Sequence, residues 1–454
     1  GGFHWQPLPE APPPWAMSAD VVVTLCDGQV NWLSHIQPRH AAIRRARRQL
    51  ASSRAGPKHR PPPNVVVIFI DSVSRARFLA QFPRTVALLR RLNRTDATAL
   101  FNYPLYHSLP CCTKNWVYPA LSGHFNPARN GEYSPETAGG VPWIWQQFEK
   151  AGYVTHVGND VCYPSELQDW WMSEASPKAP NISDHPLLDA FCTVKPLPRS
   201  TAPGGGRVSF ESRWDGVQYA TAMDSGSSIC VAGETLMRRF LQHALRFLMT
   251  PAYSHTPKFA FTALNDVHCR CRTGGAHVDL ETEWFLNEVT PLLSSTVVML
   301  VSDHGLLDSF ERPAPDLHLP LLSLLVPRSL LRASPATARA LGLNQERLVA
   351  PFDIHSTLLS LSAIGGSAAT RRPRPSSGNV NSAPATARAD APMPRWGEFR
   401  DKFNAHGPSA PMPYSSAPSG GPFGASLLQT IAEGRGCKEA GIPRSACRFD
   451  RSAG

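Results

Sequence analysis

The 454-residue sequence predicts an α/β fold with a mostly parallel central sheet. Short β-branched apolar runs alternate with amphipathic stretches between about residues 64 and 330, an order typical of parallel strands with helices on both faces. The strongest run, Asn64–Ile70, is apolar from its second residue onward, as a central strand buried on both faces must be. Hydrophobic residues make up 42% of the chain, enough for one large domain with appendages.

Charge and composition limit the classes of partner. The net charge is +10, and part of it lies in an arginine-rich run at residues 44–48. We interpret this run as a solvated face, with attraction to phosphate or to an anionic surface as the alternative. Because the arginines lack interleaved aromatic residues, no nucleic-acid partner is expected.

Cysteine usage indicates an oxidising compartment. Ten cysteines occur and none forms a Cys-x-x-Cys pair, so no zinc-ribbon spacing is present. Asn-x-Ser/Thr sequons at Asn93 and Asn181 agree with an extracellular or secretory-pathway location. The sequence begins with Gly1 rather than Met, which leaves a signal peptide or an N-terminal membrane anchor open. No apolar run is long enough to span a bilayer.

The first third of the chain leads into the sheet. Residues 1–63 are predicted to be an N-terminal extension and linker, with a strand at 21–25 and a short basic helix at 39–50. Asn64–Ile70 then ends at Asp71. Residues 75–92 predict a helix that Pro83 divides in two.

Thr113 lies between a predicted strand and a helical stretch. A hydroxyl at a helix start gains from the helix dipole, which favours an anionic nucleophile. An N-cap threonine in a turn is the alternative. Further predicted elements are a helix at 143–151, a turn and strand at 152–158, helices at 233–250, 279–294 and 352–361, and strands at 258–264, 296–301 and 319–326.

Three of the predicted strands are followed directly by ligand-type side chains. These are Asp71, then Asp266 with His268, then Asp303 with His304. The carboxyl ends of parallel strands share one sheet edge, where open α/β sheets bind ligands. Carboxylates and imidazoles are metal ligands, so this convergence predicts a metal site. A polar turn at each strand end is the alternative.

The C-terminal quarter divides in two. Residues 363–422 are rich in Ala, Pro, Ser and Arg and predict a disordered linker, with a short docking element at 396–403. Residues 423–454 are predicted to form a segment that packs on the main domain, with a helix at 423–433. Cys437 and Cys447 flank a Gly-Ile-Pro turn, which favours a local disulfide but leaves other pairings open.

Together these motifs resemble the alkaline-phosphatase superfamily and, within it, an uncharacterised sulfatase-like family of eukaryotic extracellular and membrane-anchored proteins. The resemblance covers about residues 20–360 and 423–450. It is carried by Ile70-Asp71-Ser72-Val73-Ser74-Arg75, Thr113 with Pro119-Ala120-Leu121-Ser122-Gly123, Trp143 with Gly152-Tyr153-Val154-Thr155, Ser302-Asp303-His304-Gly305, Ser426-Leu427-Leu428 and the Cys437 to Cys447 loop. It implies a three-layer α/β/α sandwich in which residues 64–362 form a hydrolase-like catalytic domain.

The resemblance also implies roles for individual residues. The expected ligands of one divalent metal ion, with Zn²⁺ as the expected element, are Asp71, Thr113, Asp303 and His304, and Thr113 is the expected nucleophile. The candidate ligands of a second ion are Asp266, His268 and His318. The candidates for binding oxygens of the transferring group are Lys114 and Asn115.

The chain departs from the family pattern in the middle ligand set. His268 is followed by Cys269 where the pattern has Asp, and Asp266 is the candidate substitute. His355 competes with His318, but its place inside a predicted helix favours packing.

The sulfatase motif Cys-x-Pro-x-Arg is absent. Cys111 and Cys112 precede Thr-Lys-Asn, so formylglycine chemistry is not expected. We interpret both thiols as structural, with Cys112 as a rival nucleophile.

The sequence therefore predicts a metal-dependent hydrolase of phosphate esters or diesters, or a phosphoryl-type transferase, with sulfate esters as a weaker variant. The alternative is a catalytically degenerate relative that serves as an extracellular interaction module. The incomplete middle ligand set and the basic surface motivate that alternative.

Overall fold

The computed structural model describes residues 18–26, 29–53, 62–109, 113–123, 143–160, 182–187, 213–214, 217–218, 230–231, 233–265, 267, 275–305, 317–364, 423–443 and 447. The strands are β1 (Val21–Cys26), β2 (Gln29–Ser34), β3 (Asn64–Ile70), β4 (Thr98–Asn102), β5 (Val154–Asn159), β6 (His185–Leu187), β7 (Arg213–Trp214), β8 (Val217–Gln218), β9 (Cys230–Val231), β10 (Glu234–Thr235), β11 (Lys258–Leu264), β12 (Thr296–Val301) and β13 (Leu322–Pro327). The α-helices are α1 (His40–Ser53), α2 (Arg75–Gln81), α3 (Pro83–Asn93), α4 (Lys114–Ser122), α5 (Ile144–Lys150), α6 (Leu236–Met249), α7 (Gly275–Val289), α8 (Arg328–Ala333), α9 (Pro335–Asn344) and α10 (Pro351–Ser362).

A seven-stranded sheet forms the centre, in the order β4-β13-β12-β3-β11-β5-β6. Strand β3 pairs in parallel with β12 on one side and with β11 on the other. The parallel pairing continues to β5 and β6, whereas at the other edge β13 pairs antiparallel with both β12 and β4. The predicted α/β class with a mostly parallel sheet is therefore confirmed.

The two faces of β3 define two apolar layers. Val66, Ile68 and Ile70 face a cluster built with α2, α3, α6 and α7. The alternate residues Val65 and Val67 face a second cluster built with α4, α5 and α10. Because side chains alternate across a strand, one apolar strand serves both layers, and the three-layer α/β/α sandwich follows.

The predicted helix after β3 is present and is divided as expected. Helix α2 begins after Ser74, whose hydroxyl accepts a hydrogen bond from the Arg77 N–H at 3.0 Å. Pro83 occupies the first turn of α3, where its missing N–H costs no helical hydrogen bond.

The N-terminal part contains a hairpin of which only the first strand was predicted. Strand β2 pairs antiparallel with β1, and its Trp32 is buried. Helix α1 buries Ala42 and Ala46 against the body, while Arg44, Arg47 and Arg48 are exposed. The interpretation of a solvated arginine face holds for these three residues. Arg45 is the exception, because its guanidinium pairs with the Asp184 carboxylate at 2.7 Å.

The predicted helix at residues 423–433 is wrong, since the structure has turns there. The physical reason is that side chains of α9 and α10 take up the backbone N–H groups that a helix would use. These pairs are Ala425 N–H with Asp353 Oδ1, Leu427 N–H with Thr357 Oγ1, and Ile431 N–H with Asn344 Oδ1. The predicted Cys437–Cys447 disulfide is confirmed.

Among the described helices, none combines the length and the apolar character that a membrane crossing requires.

Candidate metal centre

The two acidic residues of the candidate metal centre lie at the ends of two neighbouring strands. Asp71 follows β3 and Asp303 follows β12, and the two strands pair in parallel up to Val301 opposite Phe69. His304 comes next in the chain. Asp71, Asp303 and His304 are buried, and one potential ligand atom from each lies within 4.8 Å of the others. The sheet edge therefore brings together three of the residues that the sequence predicted to meet.

Ser72 links the two carboxylates. Its hydroxyl donates to Asp71 Oδ1 at 2.8 Å, and its N–H donates to Asp303 Oδ1 at 3.1 Å. Ser72 has φ = 61°, in the left-handed region, which costs a non-glycine residue about 1–2 kcal/mol. The strained backbone thus directs two donors of one residue toward two acids.

Asp303 uses its oxygens unequally. Oδ1 also accepts the His304 N–H at 2.8 Å. Oδ2 is buried and, among the described residues, meets no donor in hydrogen-bond geometry. A buried carboxylate oxygen without a partner is costly, so the site fits an added cation.

His304 places its second ring nitrogen opposite that oxygen. Its Nδ1 lies 2.6 Å from the Gly305 carbonyl oxygen. Because a carbonyl only accepts, Nδ1 carries a proton, which leaves Nε2 to face Asp303 Oδ2 at 3.2 Å. A proton or a metal ion between these two atoms would satisfy both, and a bound metal ion would displace the proton from Nε2.

The electrostatics agree with a cation site. Burial raises the pKa of Asp71, although the nearby His304 charge opposes this effect. Burial also raises the pKa of Asp303, and the Asp71 carboxylate adds to the rise. Burial acts to lower the pKa of His304, but the two carboxylates raise it overall. The rise at Asp71 comes from burial, whereas the shifts at Asp303 and His304 also reflect the negative charge of neighbouring carboxylates.

Thr113 lies beside these residues, directly before α4. Its hydroxyl is close enough to Asp71 and Asp303 to lower the pKa of both carboxyl groups through hydrogen bonding. The side chain is buried and makes no capping hydrogen bond to α4. The alternative of an N-cap threonine therefore does not describe this hydroxyl, which faces the acids instead.

His318 does not join this group. Its Nδ1 lies 3.0 Å from Ser108 Oγ, and its ring stacks on that of His107 with centroids 5.5 Å apart. Asp266 and His268 lie outside the described residues, so the second ligand set rests on sequence. No sequence pattern singled out His107.

The remaining predicted residues have mixed outcomes. Asn115 is half-buried in the first turn of α4, and the side chain of Lys114 lies outside the described part, as do Cys111 and Cys112. His355 is buried within α10, as its packing interpretation predicted. A Cβ built on Gly123 would lie 2.6 Å from its ring.

Sequence reasoning missed the two serines that orient the ligands. Besides Ser72, Ser302 accepts the Val73 N–H at 2.9 Å and donates to the His304 carbonyl at 3.1 Å. Both serines lie directly beside an acid in the sequence, Ser72 after Asp71 and Ser302 before Asp303. This adjacency is the sequence feature that could have identified them.

Several solved structures are similar to the chain. A protein in the alkaline phosphatase superfamily from Vibrio parahaemolyticus is 11% identical, with a TM-score of 0.43 over 73% of this chain and 76% of that one. The C-terminal periplasmic domain of EcEptC from Escherichia coli, in complex with Zn, is 12% identical, with a TM-score of 0.43 over 67% and 83%. PsFucS1 sulfatase from Pseudoalteromonas sp. is 14% identical, with a TM-score of 0.38 over 76% and 75%. At these identities the similarity concerns the fold.

No curated protein matches the chain. The family described as "Protein of unknown function (DUF229)" matches residues 16–173 and 212–451. This match covers most of the sequence and agrees with the predicted resemblance to an uncharacterised family. The chain therefore belongs to the DUF229 family of proteins of unknown function.

Proposed function

We propose that the protein is a metal-dependent hydrolase of phosphate esters or diesters, or a phosphoryl-type transferase, with Thr113 as nucleophile. The observation that carries this proposal is the Thr113 hydroxyl, which does not cap α4 and lies within hydrogen-bonding influence of two buried carboxylates. A hydroxyl beside two buried carboxylates is placed where a cation bound by them would meet it.

The donor set supports a divalent cation, with Zn²⁺ as the proposed ion. Two carboxylates and one imidazole nitrogen, with one carboxylate oxygen unpartnered, are the ligand types that zinc takes. A divalent ion bound there would act as a Lewis acid on the transferring group and would favour the anionic form of a bound hydroxyl. A second ion held by Asp266, His268 and His318 is proposed from the sequence resemblance alone.

The protein's own residues have separate tasks in this proposal. Thr113 would attack phosphorus in line, so that the bond from its oxygen to phosphorus forms as the bond to the ester oxygen breaks and the alcohol leaves with a proton. Water or an acceptor hydroxyl would then take the phosphoryl group and return Thr113 to its hydroxyl form. The position of Thr113 at the start of α4 lets the helix dipole favour negative charge on the nucleophile. Ser72 holds the Asp71 and Asp303 carboxylates, and Ser302 holds the backbone carbonyl of His304. Asn115 and Lys114, in the first turn of α4, are the proposed contacts to the oxygens of the transferring group.

The first test combines metal analysis with an ester panel. Purified protein is assayed for bound zinc and for hydrolysis of bis(4-nitrophenyl) phosphate, 4-nitrophenyl phosphate and 4-nitrophenyl sulfate. We expect zinc binding and hydrolysis of a phosphate substrate, lost by about 10³-fold or more in kcat in Thr113→Ala. Thr113→Ser keeps the hydroxyl and should retain most activity.

Thr250→Ala is the matched control. Thr113 and Thr250 are both 8% exposed, but Thr250 ends α6 and bonds to the Arg246 carbonyl, away from the acids. Full activity in Thr113→Ala would remove the proposed nucleophile. Zinc loading without turnover on any ester would favour the alternative, a non-catalytic interaction module.

We also propose an extracellular or secretory-pathway location. The Cys437–Cys447 disulfide supports it, because such bonds persist in oxidising compartments. Asn93 of the first sequon is exposed at the end of α3, where a glycan can be carried.

A further inference from the structure

We infer that the C-terminal segment, residues 423–443 with Cys447, is a clamp that positions the Thr113 side chain, with Ile442 as its principal positioning residue. This inference rests on the proposed function for its catalytic consequence, but it names residues that are not among the metal ligands. It follows from contacts that the segment makes on both sides of Thr113 in the sequence.

The first contact is upstream of Thr113. Leu109, four residues earlier in the chain, is buried in a small apolar cluster that is separate from the two main layers. The C-terminal segment supplies Cys437, Ala440 and Ile442 to this cluster. Ile442 is only 2% exposed, so its side chain is buried in the same cluster as Leu109.

The second contact is downstream, through α10. Leu427 of the segment shares the core layer with Ile354 of α10 and Leu121 of α4. His355 of α10 packs against Gly123, the residue that ends α4. Helix α4, which begins directly after Thr113, is therefore held by a helix that the segment covers.

The segment is fixed to α10 by a buried ion pair. The Arg435 guanidinium donates to both oxygens of Asp353, at 2.6 and 2.9 Å, and the Asp353 side chain is fully buried. Asn344 of α9 adds donors to the Leu427 and Gln429 carbonyls at 3.0 and 2.8 Å. Because the described part of the segment has no helix or strand of its own, these contacts with α9 and α10 define its conformation.

A clamp on both flanks restricts where the nucleophile can sit. A displacement of about 1 Å at a reacting group costs about 10²-fold in rate, and packing transmits such displacements because protein interiors are close-packed. Loss of the Ile442 side chain should therefore loosen the Thr113 region and lower kcat more than it changes KM.

The test compares Ile442→Ala with Ile43→Ala in the full chain. Ile43 is a buried isoleucine of α1, in the apolar layer on the other side of the sheet from α4. Both variants therefore remove the same atoms from a buried position. Hydrogen exchange of the peptide covering residues 113–123 is measured by mass spectrometry under conditions where both variants are folded. We expect exchange to rise about tenfold in Ile442→Ala and to stay at the wild-type rate in Ile43→Ala.

Kinetics on the best phosphate substrate provide the second measurement. We expect kcat to fall about tenfold or more in Ile442→Ala, with KM and saturating zinc content close to wild type, and to recover largely in Ile442→Val. Equal exchange of residues 113–123 in both alanine variants would overturn the clamp.

The clamp and the proposed function can fail separately. If the wild-type protein hydrolyses no ester, the proposed function fails, while the exchange comparison still decides the clamp. If Ile442→Ala does not fold, Ile442→Val against Ile43→Val gives the same comparison with a smaller deletion, and an unchanged exchange rate there overturns the inference.

Discussion

At the scale of single residues, Ser72 combines a strained backbone conformation with hydrogen bonds to the candidate metal ligands. It holds a left-handed backbone angle of 61° while its hydroxyl and N–H reach two different carboxylates. These two features are separable, because glycine tolerates the backbone angle and alanine does not. Neither residue can donate from a side chain.

We predict that Ser72→Gly and Ser72→Ala differ in stability but not in metal binding. Both remove the donor to Asp71 and should weaken zinc affinity by about tenfold or more, as loss of an orienting hydrogen bond does. Ser72→Ala retains the unfavourable φ, so its free energy of unfolding should be about 1 kcal/mol lower than that of Ser72→Gly. Isothermal titration with zinc and urea unfolding measure the two effects, and unchanged zinc affinity in both variants would remove the orienting role.

The sequence was informative about site residues that follow strands, and less so about the network around them. Asp71, Asp303 and His304 could be placed because strand ends share a sheet edge. The unequal hydrogen bonding of the two Asp303 oxygens could not be predicted, because it depends on where the Ser72 and His304 N–H groups point. His318, the predicted ligand of a second ion, contacts His107 and Ser108, and no sequence pattern indicated either neighbour.

At the scale of elements, helix α4 is confined at its end by a glycine. Gly123 has φ = 74°, and a Cβ there would lie 2.6 Å from the His355 ring. The conformation and the close approach both require glycine.

We predict that Gly123→Ala lowers the free energy of unfolding by about 2 kcal/mol or more. In the double variant Gly123→Ala with His355→Ala, the steric conflict disappears but the strained φ remains. The double variant should therefore lose less than the sum of the two single losses. Strict additivity in urea unfolding would show that the ring and the glycine are not coupled.

The layer between the sheet and α6 contains buried histidines that are neutral. His156 of β5 and His243 of α6 have ring centroids 5.3 Å apart, and the Nε2 atom of each lacks a partner within the described structure. Their Nδ1 atoms bond to the His185 carbonyl and to Ser34 Oγ, both at 2.8 Å. Burial lowers the pKa of His156 to about 4, and burial together with the His156 charge lowers the pKa of His243 well below its ordinary value.

We predict that the protein loses stability on acidification and that His156 accounts for part of this loss. Below pH 6.5 the unfolded chain binds a proton at this histidine, whereas the folded protein does not until about pH 4. Stability is therefore complete above pH 6.5 and falls as the pH approaches 4, by about 3 kcal/mol for this residue.

His156→Phe removes that titration and tests it. The difference in unfolding free energy between pH 7 and pH 4.5 should be smaller in the variant than in wild type by about 2 kcal/mol. The comparison cancels contributions of groups common to both proteins, including His304, whose raised pKa acts in the opposite direction. Identical pH dependence in the two proteins would contradict the assignment.

At the scale of the whole molecule, regular elements were predictable where one physical pattern dominated. Strand β3 is apolar on both faces and α3 begins with a proline, so both were evident. The second hairpin strand was missed, although Asp27-Gly28, a dipeptide typical of hairpin turns, precedes it in the sequence. The helix at 423–433 was wrong because tertiary contacts with Asp353, Thr357 and Asn344 override local propensity.

The central claim is that Asp71, Thr113, Asp303 and His304 surround one cation. Anomalous diffraction at the zinc edge, on crystals of the full chain grown with zinc, tests it most directly. The account predicts a peak about 2.0–2.2 Å from a carboxylate oxygen of Asp71, from Asp303 Oδ2 and from His304 Nε2. Zinc found only elsewhere, with Asp303 Oδ2 still unpartnered, would contradict it.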